Sequence, residues 1–264
     1  AALSTACSLA FGAIVTIVVL FHAKGPWHLY LRRIRIDIHL ASDMLKCGLP
    51  LGLQSSAYSV SNIILQSSIN SFGSDAIAAW GLACRLDAVV WLVSDALGTS
   101  VTTFAAQNFG ADERKRMRKG LHTSLILTAV VIGGISVTLL TLATPLASLF
   151  VTDDQVISMT TKMLVLISPF YIFYSLMDNV SGTIRGTGES LRPMLLTVLG
   201  TCVFRIIWLF AFVPAHHSIE VALTSYPVTW LLTGILMLIY YRHGHWAERS
   251  KAREKARLAS HATA

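Results

Sequence analysis

Charge is what this sequence has least of. Only 13% of its 264 residues are Asp, Glu, Lys or Arg, against 54% hydrophobic residues and a mean hydropathy of +0.61. A soluble domain carries about 25% charged residues. The shortage excludes an ordinary water-soluble globule and makes the chain an integral membrane protein. Cysteine is also sparse. Cys7, Cys47, Cys84 and Cys202 stand singly, with no CxxC and no Cys/His ligand spacing, so free thiols and no metal are expected. Walker loops, dinucleotide fingerprints and nucleophile motifs are absent, which argues against an enzyme or a cofactor. None of the nine histidines is centred in an apolar run.

What is present is long apolar runs. Seven are long enough, at about 20 residues, to cross a bilayer as helices. They cover 3–21, 50–72, 76–107, 121–150, 156–184, 193–213 and 221–241. The third is long for one crossing and is expected to tilt or to emerge beyond the headgroups. The fold class is therefore all-α, with seven transmembrane helices.

The connections sort by charge. Every Lys and Arg except Arg85, Lys162 and Arg205 falls on one side, in 23–48, 110–120, 185–192 and the tail from Arg242. The other side, at 73–75, 152–155 and 214–220, has neither. The positive-inside rule puts the basic side and the C-terminus in the cytoplasm of a cell, or inner, membrane. The net charge of +7 is thus a topology signal, and no nucleic-acid partner is implied. Residues 29–47 alternate basic and apolar positions and read as an amphipathic linker along the inner membrane surface. Residues 242–264 read as a basic, partly helical or frayed tail. The chain opens at Ala1, without Met, almost directly in a membrane run, so it reads as the C-terminal part of a longer protein.

One acid lies inside the fifth run. Asp178 follows Tyr174 by four residues, so hydroxyl and carboxylate share a helix face. A charge at bilayer depth costs about 2.5–3.5 kcal/mol on insertion scales, which makes it a functional candidate by default. Pro169 upstream is placed to bend the helix. The alternative is a structural acid paired with Arg185, about 10 Å further along the helix by its rise. The run at 50–72 contains no acid. It carries Gln54, Tyr58, Asn62, Gln66 and Asn70 at steps of four, a polar stripe that either bonds within the bundle or lines a cleft. Arg85, Asp87 and Asp95 lie in the third run and Arg205 in the sixth. Buried charges pair, so Asp87 or Asp95 is expected to meet Arg205, as a structural pair or a proton-coupling one. Trp80, Trp91, Trp208 and Trp230 read as packing or interface residues rather than a drug-stacking box.

Four blocks carry a family resemblance. They are GLPLGLQSSAYSVSNIILQSSINSFGSDAIAAWG at 48–81, TTFAAQNFGADERKRMRKG at 102–120, DNVSGTIRGTGESLRPM at 178–194 and the apolar LLTVLGTCVFRIIWLF that follows. In this order and spacing they resemble the multidrug and toxic compound extrusion (MATE) transporters, in a bacterial, DinF-like or related branch. The resemblance implies a twelve-helix exporter of two six-helix lobes. On it, residues 1–22 are the last helix of a missing N-terminal lobe, 23–48 the cytoplasmic interlobe linker, 49–241 the C-lobe and 242–264 the tail. It implies a small organic substrate, often cationic, exchanged for H⁺ or Na⁺ in a lipid bilayer by alternating access. Tyr174 and Asp178 match a Tyr-x-x-x-Asp of NorM-type members that belongs to the cation site. The chain departs from those members at Tyr58, which stands eight residues after Pro50 where they carry Glu. Two other readings remain at this point. A flippase of lipid-linked precursors would need a large basic cleft, and Arg205 alone does not supply one. A seven-helix receptor or sensor rests on helix number only.

Overall fold

A computed structural model describes residues 2–25, 28–30 and 38–252. The basic half of the expected linker, 31–37, and the tail beyond Ala252 lie outside the described residues. By internal contacts the chain divides into two units, Ala1–Leu45 and Lys46–Ala264. The first holds the apolar helix α1 (Ala2–His22), whose outward residues Leu3, Leu9, Phe11 and Ile14 are exposed as a membrane helix requires.

The described chain is helical. α2 is Ile38–Asn70, α3 Ser74–Leu86, α4 Ala88–Gly110, α5 Arg114–Ser148, α6 Asp154–Ile167, α7 Tyr171–Gly186, α8 Leu191–Thr197, α9 Phe204–His216, α10 Ile219–Leu223 and α11 Ser225–His243. Six helical stretches among the described residues are long and apolar enough to cross a membrane: Leu3–His22, Ala88–Gly110, Arg114–Ser148, Asp154–Gly186, Leu191–His216 and Ile219–His243. This is a multi-pass all-α membrane protein. The expected seventh span lies in α2, which is long enough but is not among the six. The polar stripe from Gln54 to Asn70, together with its serines, dilutes the apolarity of that helix.

Three further differences have local causes. Helix α2 begins at Ile38 and runs through Pro50. Proline is favoured in a first turn because its missing N–H is unneeded there, which is why Pro50 read as a start. The expected single long helix at 76–107 is broken at Asp87, which caps the end of α3 and the start of α4. The run at 193–213 loosens into a π-helical turn, Val198–Val203, between α8 and α9. Pro169 acts as expected: a 3-10 turn, Ser168–Phe170, separates α6 from α7.

Two apolar layers stack within the second unit. One gathers Leu65, Ile69, Trp80, Val90, Ile132, Leu164, Tyr171 and Trp230. The other gathers Val101, Phe109, Met117, Leu121, Met177, Val180, Ile184 and Met237. Tyr174 packs against both. Hydrophobic burial does little to join helices in lipid, so buried hydroxyl and amide pairs contribute. Asn179 Nδ2 donates to Thr128 Oγ1 at 2.6 Å, Ser94 and Ser175 meet at 2.9 Å, and Thr201 and Thr233 meet at 3.0 Å.

Candidate functional site

The site is built on the crossing of α4 and α7. Gly182 and Gly186 follow Asp178 at steps of four, so the three share one stripe of α7. That stripe lies against Gly98, Thr102 and Ala106 of α4, again at steps of four. A Cβ at Gly182 would meet Thr102 Oγ1 at 2.6 Å. One at Gly186 would meet the backbone oxygen of Thr102 at 2.5 Å and the Ala106 nitrogen at 3.0 Å. Small residues at this spacing let two membrane backbones touch. The close crossing delivers the Asp178 carboxylate to Gly98, where Oδ2 occupies the place of the absent side chain.

Among the described residues the carboxylate's ion-pair partner is Arg185. Arg185 Nη2 donates to Asp178 Oδ1 at 3.1 Å, reaching back two turns along α7. The two side chains are 14% and 18% exposed, so the pair is sheltered but open at one edge. Tyr174, Tyr58, Asp178 and Asp95 are electrostatic neighbours. The Tyr174 ring is held by Trp91 at 5.0 Å and Trp230 at 5.5 Å. Asp95 lies on the exposed face of α4, one turn before Gly98.

The polar stripe of α2 turns partly inward. Gln54 and Tyr58 are half-buried; among the described residues Gln54 Oε1 is buried without a hydrogen-bond partner, and the Tyr58 hydroxyl lies beside Thr201. Asn62 is more exposed and accepts from Arg205 Nη1 at 3.1 Å. Arg205 is 1% exposed, and its guanidinium lies 4.0 Å from the centre of the Tyr226 ring. No ion pair joins Arg205 to Asp87 or Asp95 among the described residues. The expected acid–base pairing is replaced by an amide and a cation–π contact. Asp87, buried at the α3–α4 break, instead accepts from the Tyr171 hydroxyl at 3.0 Å.

Sequence reasoning did not single out Gly98, Thr102, Tyr171 or Tyr226. For Gly98 and Thr102 a signal existed, in the small residues four apart on both helices. Tyr226 carried none, because its partner Arg205 is distant in sequence. All four cysteines are free thiols. Among the described residues no group of three or more His, Cys, Asp or Glu side chains could hold a metal ion.

Residues 50–210 match the family model MatE. The probable multidrug resistance protein YoeA of Bacillus subtilis is 25% identical over 214 residues, covering 80% of this chain and 46% of that protein. The FAD transporter of Shewanella oneidensis is 29% identical over 219 residues, covering 79% of this chain and 47% of that protein. A crystal structure of MATE in the straight conformation superposes with a TM-score of 0.79 at 16% identity, covering 94% of this chain and 55% of that one. The likeness in structure establishes the fold, and the chain spans about half the length of the relatives it matches. With the family model matching well over half of its residues, the chain belongs to the MatE family, the multidrug and toxic compound extrusion transporters.

Proposed function

We propose that the chain is part of a secondary active multidrug exporter that exchanges organic compounds for H⁺ or Na⁺ by alternating access. Residues 49–241 are its C-lobe, 23–48 the interlobe linker, 1–22 the last helix of an N-terminal lobe and 242–264 a cytoplasmic tail. The basic turns face the cytoplasm across the cell membrane. Gln54, Tyr58 and Asn62 line the cleft between lobes. The protein acts as a transporter and not as an enzyme.

The observation that carries this reading is the family match over residues 50–210. Asp178 is its candidate coupling acid because it stays partly open in a glycine-lined crossing beside Tyr174, although its pairing with Arg185 is also what a structural acid would make. Antiport needs one site that holds either the coupling ion or the substrate. Binding of H⁺ or Na⁺ at Asp178 competes with its attraction to Arg185, so it changes the charge offered to a substrate. Tyr174, fixed between two tryptophans, presents its hydroxyl on the same face. The test is efflux of ethidium from vesicles carrying the natural full-length protein. Asp178→Asn should insert normally and lose the dependence of efflux on a pH or Na⁺ gradient. Unchanged gradient dependence would place coupling elsewhere.

A second reading concerns the substrate. Around Tyr58 and Tyr174, Arg185 and Arg205 offset Asp178 and Asp95, so the site carries no net negative charge that would select a cation. The Shewanella relative is named an FAD transporter. An anionic aromatic substrate of that kind fits this charge balance. Uptake competition between ethidium and a flavin nucleotide separates the two readings.

A further inference from the structure

A groove of about 550 Å³ runs between α5, α7 and α11, away from Asp178. Its walls include Leu125, Ile126, Phe173, Met177, Leu231 and Ile235. Ile126, Phe173, Ile235 and Leu238 expose 42–58% of their surface along its lips. In membrane-spanning helices such lips face hydrocarbon, so the groove opens sideways into lipid. From Trp230 to Leu238 it extends eight residues of α11, about 12 Å by helical rise. That is most of one leaflet, half of the roughly 30 Å hydrocarbon core.

The mouth is basic. His122 is the one titratable residue among the lining side chains, and it stands at the end near the start of α5. Arg118, exposed, is one turn before it on the same face. Tyr241 of α11 is an electrostatic neighbour of Arg118, which brings the basic turn of α5 beside the end of α11. Basic pockets between membrane helices at this level suit anionic head groups.

We infer that this groove binds one anionic phospholipid of the leaflet on the basic side, with an acyl chain along α11 and the phosphate at Arg118 and His122. The assignment does not depend on the transport reading of Asp178. Gly234 offers a way to test it. A Cβ there meets only Met177 Cβ, at 3.9 Å, so the backbone leaves room for a side chain to start into the groove. Gly134 of α5, exposed and with nothing within 4 Å, takes the same substitution outside the groove.

The experiment is native mass spectrometry of the natural full-length protein, purified in detergent and incubated with dioleoylphosphatidylglycerol or dioleoylphosphatidylcholine. The wild-type protein should retain one phosphatidylglycerol in preference to phosphatidylcholine. Gly234→Leu should abolish that retention and Gly134→Leu should leave it intact. Arg118→Gln should weaken it about fivefold, as expected for one basic residue near an anionic head group. Equal retention of the two lipids by the wild type would overturn the proposal. So would phosphatidylglycerol binding that Arg118→Gln leaves unchanged, or displacement of the lipid by ethidium, which would make the groove a drug site. The comparison of lipids and the Arg118→Gln result decide the matter even if Gly234→Leu fails to fold.

Discussion

The Asp178 carboxylate occupies the space that a side chain at Gly98 would fill. This relationship ties the acid to the packing of α4 against α7, and substitutions along the crossing should therefore differ in kind.

Gly186→Ala drives a Cβ into backbone atoms of Thr102 and Ala106. It should cost about 1–3 kcal/mol, the usual range for overpacking. Gly98→Ala meets only the end of the Asp178 side chain, which can swing aside. Its stability cost should be smaller, while gradient-dependent transport falls. Gly133→Ala enters open space on α5 and should gain up to about 1 kcal/mol from helix propensity. Thermal unfolding of the three variants in one detergent, set beside their efflux rates, checks the order.

Arg185→Gln leaves Asp178 without its ion-pair partner. Breaking a buried pair costs about 3–5 kcal/mol; the open edge of this one should bring the loss nearer 2 kcal/mol. Adding Asp178→Asn to it should restore part of the stability, because the uncompensated charge is then gone. A double-mutant cycle on unfolding free energies measures the coupling. A coupling near zero would mean that the pair contributes nothing.

Much of this site was legible in the sequence, for a physical reason. Tyr174 and Asp178 needed only helical spacing, and Pro169 needed only its missing N–H. The helix break at Asp87 was not legible. An Asp inside an apolar run reads as a buried charge and carries no breaking signal of its own. The partners of Arg205 were hidden because Asn62 and Tyr226 are brought to it by tertiary packing alone, and charge pairing was the obvious guess. Pro50 misled about the start of α2, and the loosened turn at Val198–Val203 coincides with the close approach of Gly200 to Thr233, which lie far apart in the chain.

Tyr171→Phe removes the hydroxyl that donates to buried Asp87. Leaving a buried acceptor short of its donor costs about 1–3 kcal/mol. The variant should unfold at lower temperature. Asp87→Leu leaves the buried Tyr171 hydroxyl unpaired, so adding Tyr171→Phe to it should restore stability rather than lower it.

The residues after α11 are docked rather than frayed as far as they are described. Residues 246–252 are helical, with Trp246 stacked on Tyr241 at 5.4 Å and Ser250 beside Thr187 at 3.0 Å. Lys251 Nζ lies 2.5 Å from Asp112 Oδ1 in the turn between α4 and α5, and it holds the Asp112 carboxyl below its ordinary range. A lowered acid stabilises the folded form above its unfolded pKa of about 3.9 and loses that contribution as pH falls through the folded value. Protection of the 246–252 amides, taken relative to their intrinsic exchange rates, should be full at neutral pH and fall only below about pH 4. In Asp112→Asn protection should be lower at neutral pH, and the difference from the wild type should vanish as pH falls through the folded pKa of Asp112.

The central claim is that Asp178 takes up the coupling ion in competition with substrate. The most direct measurement, for H⁺ coupling, is proton release on substrate binding by the full-length protein in weakly buffered detergent, read with a pH dye. The wild type should release protons when ethidium is added, in an amount that changes with starting pH. Asp178→Asn should bind ethidium and release none. Release of the same number of protons by both proteins would contradict the account and remove Asp178 from the coupling site.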